Sequence, residues 1–144
     1  MQKIFEVKRE NFTISTDSTR LDIDAIFDFL SRSYWANDRQ RERIERSLVN
    51  SLVFGMYDGE KQIGLARVVT DYATFAWLCD VFIDDTYRGK GLGKWLMETI
   101  LGHPDLQGLR RWLLATRDAH GLYSQFGWKP LEKPERWMGK FSSE

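Results

Sequence analysis

Arg88-Gly89-Lys90-Gly91-Leu92-Gly93-Lys94 is the stretch on which the reading of this chain turns. It follows an apolar run, Leu78-Cys79-Asp80-Val81-Phe82-Ile83, with the composition of a strand. It precedes Leu92, Leu96 and Ile100, whose i, i+4, i+8 spacing marks the buried face of a helix. Glycines therefore sit at a strand-to-helix turn and open the helix. Glycine takes positive φ and lets the backbone approach a ligand closely. The first free N–H groups of a helix, with the positive end of its dipole, favour an anion. Arg88 and Lys94 add positive charge at either side. A phosphate or pyrophosphate is the expected guest, against the plainer alternative of a glycine-rich turn that holds nothing.

Three phosphate motifs compete here. A Walker A loop needs glycine where Arg88 stands and Ser or Thr where Trp95 stands, so it fails twice. A G-x-G-x-x-G dinucleotide fingerprint needs glycine where Lys94 stands, and it fails as well. The pattern Arg/Gln-x-x-Gly-x-Gly/Ala is met by Arg88, Gly91 and Gly93. Downstream of a second apolar run, Trp112-Leu113-Leu114-Ala115, come Thr116, Ala119, Leu122, Tyr123, Gly127 and Trp128. In these two segments the chain resembles the GNAT superfamily of acetyl-CoA-dependent N-acetyltransferases, whose second motif reads Asn-x-x-Ala-x-x-Leu-Tyr and then Gly-Phe. Thr116 stands for the usual Asn and Trp128 for the Phe. The resemblance is strong over residues 50–128 and weak over the first 45.

With 144 residues, the chain has the length of one domain, expected over 1–144, with room for a sizeable core. Its 42% hydrophobic content and twenty aromatic residues (nine Phe, six Trp, five Tyr) argue against disorder. Lys plus Arg and Asp plus Glu balance at 21 each, so no global basic field favours nucleic acid or an acidic membrane. A single cysteine excludes an internal disulfide and fits a reducing compartment. The first residues carry no apolar signal-like run, and no apolar run reaches the length of about 18 to 20 residues that spans a bilayer. A cytoplasmic protein, monomeric or homodimeric, is the expectation. No His, Cys and carboxylate cluster has metal-ligand spacing.

Along the chain, Ile4, Val7, Phe12 and Ile14 suggest one or two short strands, and residues 21–30 a helix with a broad apolar side. A second amphipathic helix carries Ile44, Leu48 and Val49 inward. Residues 52–57 and 62–70 read as a hairpin turned at Asp58-Gly59. Ala73-Thr74 reads as a second tight turn into the strand before the glycines, and residues 137–141 as a last strand. These elements predict an α/β (α+β) architecture: a mixed, mostly antiparallel sheet of about six to seven strands flanked by about four helices. The resemblance implies the same layout.

The reaction implied by the resemblance moves acetyl from acetyl-CoA directly to a primary amine of a small molecule or peptide terminus. Pyrophosphate binding then falls to Arg88, Gly89, Lys90, Gly91, Leu92, Gly93 and Lys94, and the thioester to the exposed backbone of Val81, Phe82 and Ile83. Thr116 and Ala119 complete the cofactor side. Tyr123 is expected to protonate the departing thiolate, since a phenol stays protonated at neutral pH; a core tyrosine is the alternative. Asp80 interrupts an apolar strand. Burial alone raises its pKa and makes it a base; a two-residue turn at Ala73-Thr74 sets it opposite Arg67 and makes it an ion pair. Both readings stand, as does a water-relayed exit for the proton. His120 is a further base candidate or an exposed first-turn residue, and Gly121 hints at close approach by another group. Cys79 reads as a small buried hydrophobe and His103 as part of a loop. The resemblance puts the acceptor side at the connection between the first two helices, where Tyr34, Trp35 and Asp38 lie and where Arg67 is expected as well; Trp35 as a plug of the core is the alternative. A catalytically silent acyl-CoA sensor of the same fold is the second hypothesis.

Overall fold

The computed structural model describes residues 3–142. Six strands form one sheet in sequence order: β1 (Glu6–Arg9), β2 (Phe12–Ser15), β3 (Leu52–Asp58), β4 (Lys61–Thr70), β5 (Phe75–Ile83) and β6 (Arg111–Leu113). Every neighbouring pair is antiparallel except β5 and β6, which run parallel. That single parallel pair requires a crossover, and α3 (Leu92–Leu101) supplies it. Helices α1 (Ile23–Ser31) and α2 (Arg41–Val49) lie between β2 and β3, and α4 (His120–Ser124) follows β6. The mixed sheet with four α-helices is the architecture the sequence predicts.

Alternation along the central strands sends side chains into two cores. Phe54, Met56, Ala66, Val68, Ala76 and Leu78 pack with Leu92, Leu96 and Ile100 of α3. Val53 and Leu65, on the opposite face, pack with Ile26 and Leu30 of α1 and with Ile44 and Leu48 of α2. Val49 does not join them and is 83% exposed. Consecutive helical residues point about 100° apart, and Leu48 takes the inward position. The Asp22 carboxylate caps α1 by accepting from the Ala25 N–H at 3.1 Å. Among the described residues, no helix is long and apolar enough to cross a membrane.

Two local expectations fail. The β4–β5 connection is not a two-residue turn at Ala73-Thr74; it runs over residues 71–74 between the paired Thr70 and Ala76. Asp71 organises it, its carboxylate accepting from the N–H groups of Ala73, Thr74 and Phe75 and from the Thr74 hydroxyl. Four bonds to one carboxylate are worth more to this turn than a tighter loop. Residues 137–141 form no strand either: a short 3-10 turn at Pro134–Arg136 leads to a segment without regular structure. Trp137 instead receives the Arg111 guanidinium over its ring at 4.9 Å. The tail thus meets edge strand β6 through side chains rather than through a backbone ladder.

Gly55 and Tyr57 make a tight pair in β3. The Tyr57 hydroxyl is buried without a hydrogen-bond partner, and a Cβ on Gly55 would stand 2.3 Å from it. Gly55→Ala is therefore expected to destabilise the fold by about 1 to 3 kcal/mol through overpacking. Tyr57→Phe is expected to be neutral or stabilising, because the orphan hydroxyl disappears. Urea melts of both variants check this pair of signs.

Candidate active site

The pairing of β4 with β5 contains one extra residue. Gly64 and Leu65 face Ile83 and Phe82, whereas Arg67 and Val68 face Cys79 and Leu78. Asp80 and Val81 together therefore oppose Ala66 alone, a β-bulge. Asp80 takes φ 53°, a left-handed conformation uncommon for a residue with a side chain. The bulge reverses the alternation. Leu78 belongs to the core under α3, yet Phe82 stacks on Phe29 of α1 at 4.5 Å, and Val81 and Ile83 turn to the α3 side. Asp80 thus shares no face with Leu78, contrary to the alternation expected from the sequence, and it is not paired opposite Arg67.

Arg67 nevertheless reaches it. Arg67 Nε donates to Asp80 Oδ2 at 2.8 Å, Arg39 donates to the same oxygen at 3.0 Å, and Trp35 Nε1 donates to Oδ1 at 2.8 Å. The Asp80 side chain is 2% exposed. Burial pushes this carboxyl up, but the Arg67 and Arg39 charges and the bonds from Arg67 and Trp35 outweigh it and hold the group below its ordinary value. Both oxygens are engaged, so of the two readings open for Asp80 the geometry matches the ion pair. Arg67 also donates to Ser51 Oγ at 3.2 Å and keeps only 11% of its side chain exposed.

Just before the bulge, β5 loses its other neighbour. Its pairing with β6 covers only Phe75, Ala76 and Trp77 against Arg111, Trp112 and Leu113. Val81, Phe82 and Ile83 lie beyond the last residue of β5 paired with β6. A 3-10 turn, Asp85–Tyr87, then leads to the glycines. Gly89 and Gly91 have φ 83° and 75°, and a Cβ on either would meet nothing within 4 Å. Gly91 is the N-cap of α3 and offers no side chain to close the helix end. The first helical bond runs from Trp95 N–H to Gly91 O at 3.1 Å. The N–H groups of Leu92, Gly93 and Lys94 therefore have no partner inside the helix, and an anion fits there. Lys90 and Lys94 are exposed beside it, and Arg88 pairs with Asp85 at 2.9 Å within the same turn.

The second motif arrives at the same place. A Cβ on Gly93 would touch Leu122 at 3.7 Å and Ile83 at 3.8 Å, so α3, the end of β5 and α4 converge on one glycine. Thr116 Oγ1 accepts from the Ala119 N–H at 3.1 Å and so fixes the entry to α4. Ala119, the N-cap of α4, accepts in turn from the Tyr123 N–H at 3.3 Å. Tyr123 is 7% exposed, its ring set edge-on to Trp128 at 5.9 Å. Burial, with a contribution from Tyr34, pushes its phenol up to about 12. His120 is exposed at the start of α4, and no protein atom lies within 4 Å of a Cβ on Gly121.

On the other side of β5, Tyr34 and Trp35 are edge-to-face at 5.1 Å. The Tyr34 hydroxyl accepts from the Arg117 N–H at 2.8 Å, and the Arg117 guanidinium lies 3.9 Å over the Tyr34 ring. The connection between α1 and α2 is thereby joined to the segment that enters α4. The sequence suggests Trp35 as an acceptor-side aromatic and Arg39, with Arg41 and Arg43, as a solvated helix face; instead of facing solvent, Arg39 turns with Trp35 to Asp80. Two surface clefts, of about 410 and 250 Å³, lie elsewhere, around Ser51 and Thr70 and around Trp112 and Trp128. Among the described residues, no group of His, Cys, Asp and Glu is placed to hold a metal ion.

Comparison with known proteins agrees with this geometry. Residues 15–128 match the acetyltransferase (GNAT) family model. A solved GNAT-family acetyltransferase structure from Xanthomonas campestris is 45% identical, with a TM-score of 0.88 over 91% of this chain and 93% of that one. A Gibberella zeae protein assigned as an acetyltransferase is 31% identical over 140 residues, 81% of this chain and 78% of its own length. A GNAT acetyltransferase of Elizabethkingia anophelis, solved with acetyl-CoA bound, shares the fold at 15% identity, with a TM-score of 0.62 over 82% of this chain and 76% of that one. The chain belongs to the GNAT acetyltransferase family.

The depressed Asp80 carboxyl has a pH signature. Its stabilisation is fully present above the unfolded-state value of about 3.9 and is lost as pH falls from there through the lower folded value. Asp80→Asn is expected to cost about 3 to 5 kcal/mol at neutral pH, as loss of one partner from a buried ion pair does. That difference shrinks below about pH 4, where the wild-type group also protonates. Urea denaturation of both proteins between pH 7 and pH 2.5 measures it.

Proposed function

We propose that this chain is an acetyl-CoA-dependent N-acetyltransferase that transfers acetyl directly to a primary amine of a small molecule or peptide terminus. The observation that carries this reading is the convergence at Gly93, where an uncapped helix start, the unpaired end of β5 and the helix bearing Tyr123 meet. The N–H groups of the first turn of α3, framed by Gly89 and Gly91, hold the pyrophosphate, with Lys90, Lys94 and Arg88 adding positive charge. Acetyl-CoA supplies the activated acyl group. The open edge at Val81, Phe82 and Ile83 offers backbone hydrogen bonds to the pantetheine arm, and an N–H there stabilises the oxygen that gains charge as the amine adds. Ala119 leaves room on the α4 side, and Thr116 holds that helix in place.

Tyr123 gives its proton to the thiolate as it leaves. A phenol raised to about 12 is a weak acid against a thiol in water, whose pKa is about 8.5. Burial raises thiols too: Cys79, half-buried in this fold, is pushed up to about 11, desolvation being the first cause. A thiol desolvated beside Tyr123 therefore lies closer to the phenol than a thiol in water does, which favours proton transfer. Asp80 has both oxygens occupied, so the amine loses its proton to water. Tyr34 and Trp35 line the acceptor side with aromatic surface.

The experiment is a panel of primary amines mixed with acetyl-CoA while free thiol is followed. Thiol release with at least one amine, together with its N-acetylated product, is expected; tight coenzyme A binding without turnover for any amine points instead to an acyl-CoA-binding module. Tyr123→Phe is expected to lower kcat about ten-fold or more and to leave the Kd for coenzyme A nearly unchanged. Unchanged turnover removes Tyr123 from the proton transfer.

A further inference from the structure

We propose that Asp80 is a positioning residue: through Trp35 and Arg39 it fastens the acceptor-side wall to the bulge in β5. The proposal rests on the acetyltransferase reading of this site and assigns Asp80 a role distinct from general-base catalysis. Three features of the molecule support it. The first is backbone conformation. Asp80 is one of only a few non-glycine residues with positive φ among those described, and glycine would relieve that strain. A carboxylate at the position is therefore explained by what its side chain holds.

The second is the origin of the donors. Arg67 comes from β4, within the sheet, but Trp35 and Arg39 come from the connection between α1 and α2, 45 and 41 residues earlier in the chain. Within that connection residues 32–38 form turns, with Ala36 its only fully buried hydrophobic residue. Ser33 closes it locally by donating to Leu30 O and accepting from the Ala36 N–H; those bonds stay local, whereas Trp35 and Arg39 tie the connection to β5. The third is where the contact leads. Trp35 packs on Tyr34, and Tyr34 holds the Arg117 N–H and guanidinium, at the segment that enters the helix of Tyr123. One carboxylate thus links three parts of the site: the strand assigned to the thioester, the aromatic wall assigned to the acceptor, and the loop that leads to the acid. A shift of about 1 Å between such parts is enough to cost a large factor in rate.

Asp80→Asn and Trp35→Phe test this. Trp35→Phe keeps an aromatic ring beside Tyr34 while removing the Nε1–H that Asp80 receives, along with part of the indole, and it leaves Asp80 with both arginines, so it remains informative even where Asp80→Asn folds poorly. Amide hydrogen exchange of the free protein, which needs no acetyl transfer, is expected to speed up over residues 33–39 in both variants while the amides of α3 keep their protection. With the amine identified in the panel, each variant is expected to raise KM for that amine about ten-fold, to leave the Kd for coenzyme A within about two-fold, and to keep the pH limbs of kcat/KM where the wild type has them. Unchanged exchange and unchanged KM in Trp35→Phe overturn the proposal. So does an Asp80→Asn protein that loses the low-pH limb of kcat/KM with its KM intact, the behaviour of a lost base. Failure of coenzyme A to bind the wild type would count against the acetyltransferase reading alone, since the exchange experiment stands without it.

Discussion

One residue too many in β5 governs the arrangement of this site. Asp80 and Val81 stand against the single residue Ala66, and the pleat changes sides between Leu78 and Phe82. Over Phe75, Ala76 and Trp77, β5 is an ordinary inner strand, paired on both edges. Downstream it keeps β4 and loses β6, so its end carries backbone groups that no strand satisfies. Buried backbone polar groups need partners, and a ligand with amides along its length meets that need. The same reversal aims Ile83 at the start of α3 and turns Asp80 toward the helices on the opposite face. Two sides of the site are thus set by a single local irregularity.

The glycine turn completes what the bulge begins. Gly91 in the left-handed region lets the chain start α3 immediately after the 3-10 turn, without a side chain that would cap the helix. A helix end left uncapped is unfavourable in an empty protein and useful when an anion supplies the missing acceptors. α4 has five residues and little intrinsic stability. It is held by Thr116 at its entry, by Leu122 against Gly93, and by Tyr123 in the core under Trp128. The phenol occupies a fixed position because the residues around it do.

Much of this was legible in the sequence, and the reasons differ by residue. Arg88, Gly91 and Gly93 announce the helix start because positive φ and the lack of a side chain are properties of residue type. Ala119 and Tyr123 announce α4 through the spacing of a helical turn. The β3–β4 hairpin followed from two apolar runs and from the turn at Asp58-Gly59. The environment of Asp80 was not legible, because a bulge changes register without leaving a mark in composition: residue pairs that sum to 147 are correct at Leu65 and Phe82 and wrong by one at Arg67 and Cys79. Asp71 was the overlooked signal in that connection, an acidic residue placed to collect the N–H groups of the turn. Trp35 Nε1 and Arg39 were beyond reach, since nothing in the spacing of residues 35, 39 and 80 brings them together. The tail misled for the opposite reason. Trp137, Met138 and Phe141 have strand-like composition, yet Met138 is 97% exposed, and residue preference forms no ladder without a backbone partner.

The account depends most on the diphosphate of coenzyme A being held by the N–H groups at the start of α3. Calorimetric titration of the protein with coenzyme A, and separately with pantetheine, which shares the thiol arm and lacks the diphosphate, addresses this directly. Charge-assisted hydrogen bonds contribute about 1.5 to 3 kcal/mol each, so coenzyme A is predicted to bind about 100-fold or more tightly than pantetheine. Equal affinity for the two, or no binding of coenzyme A at all, would contradict the account.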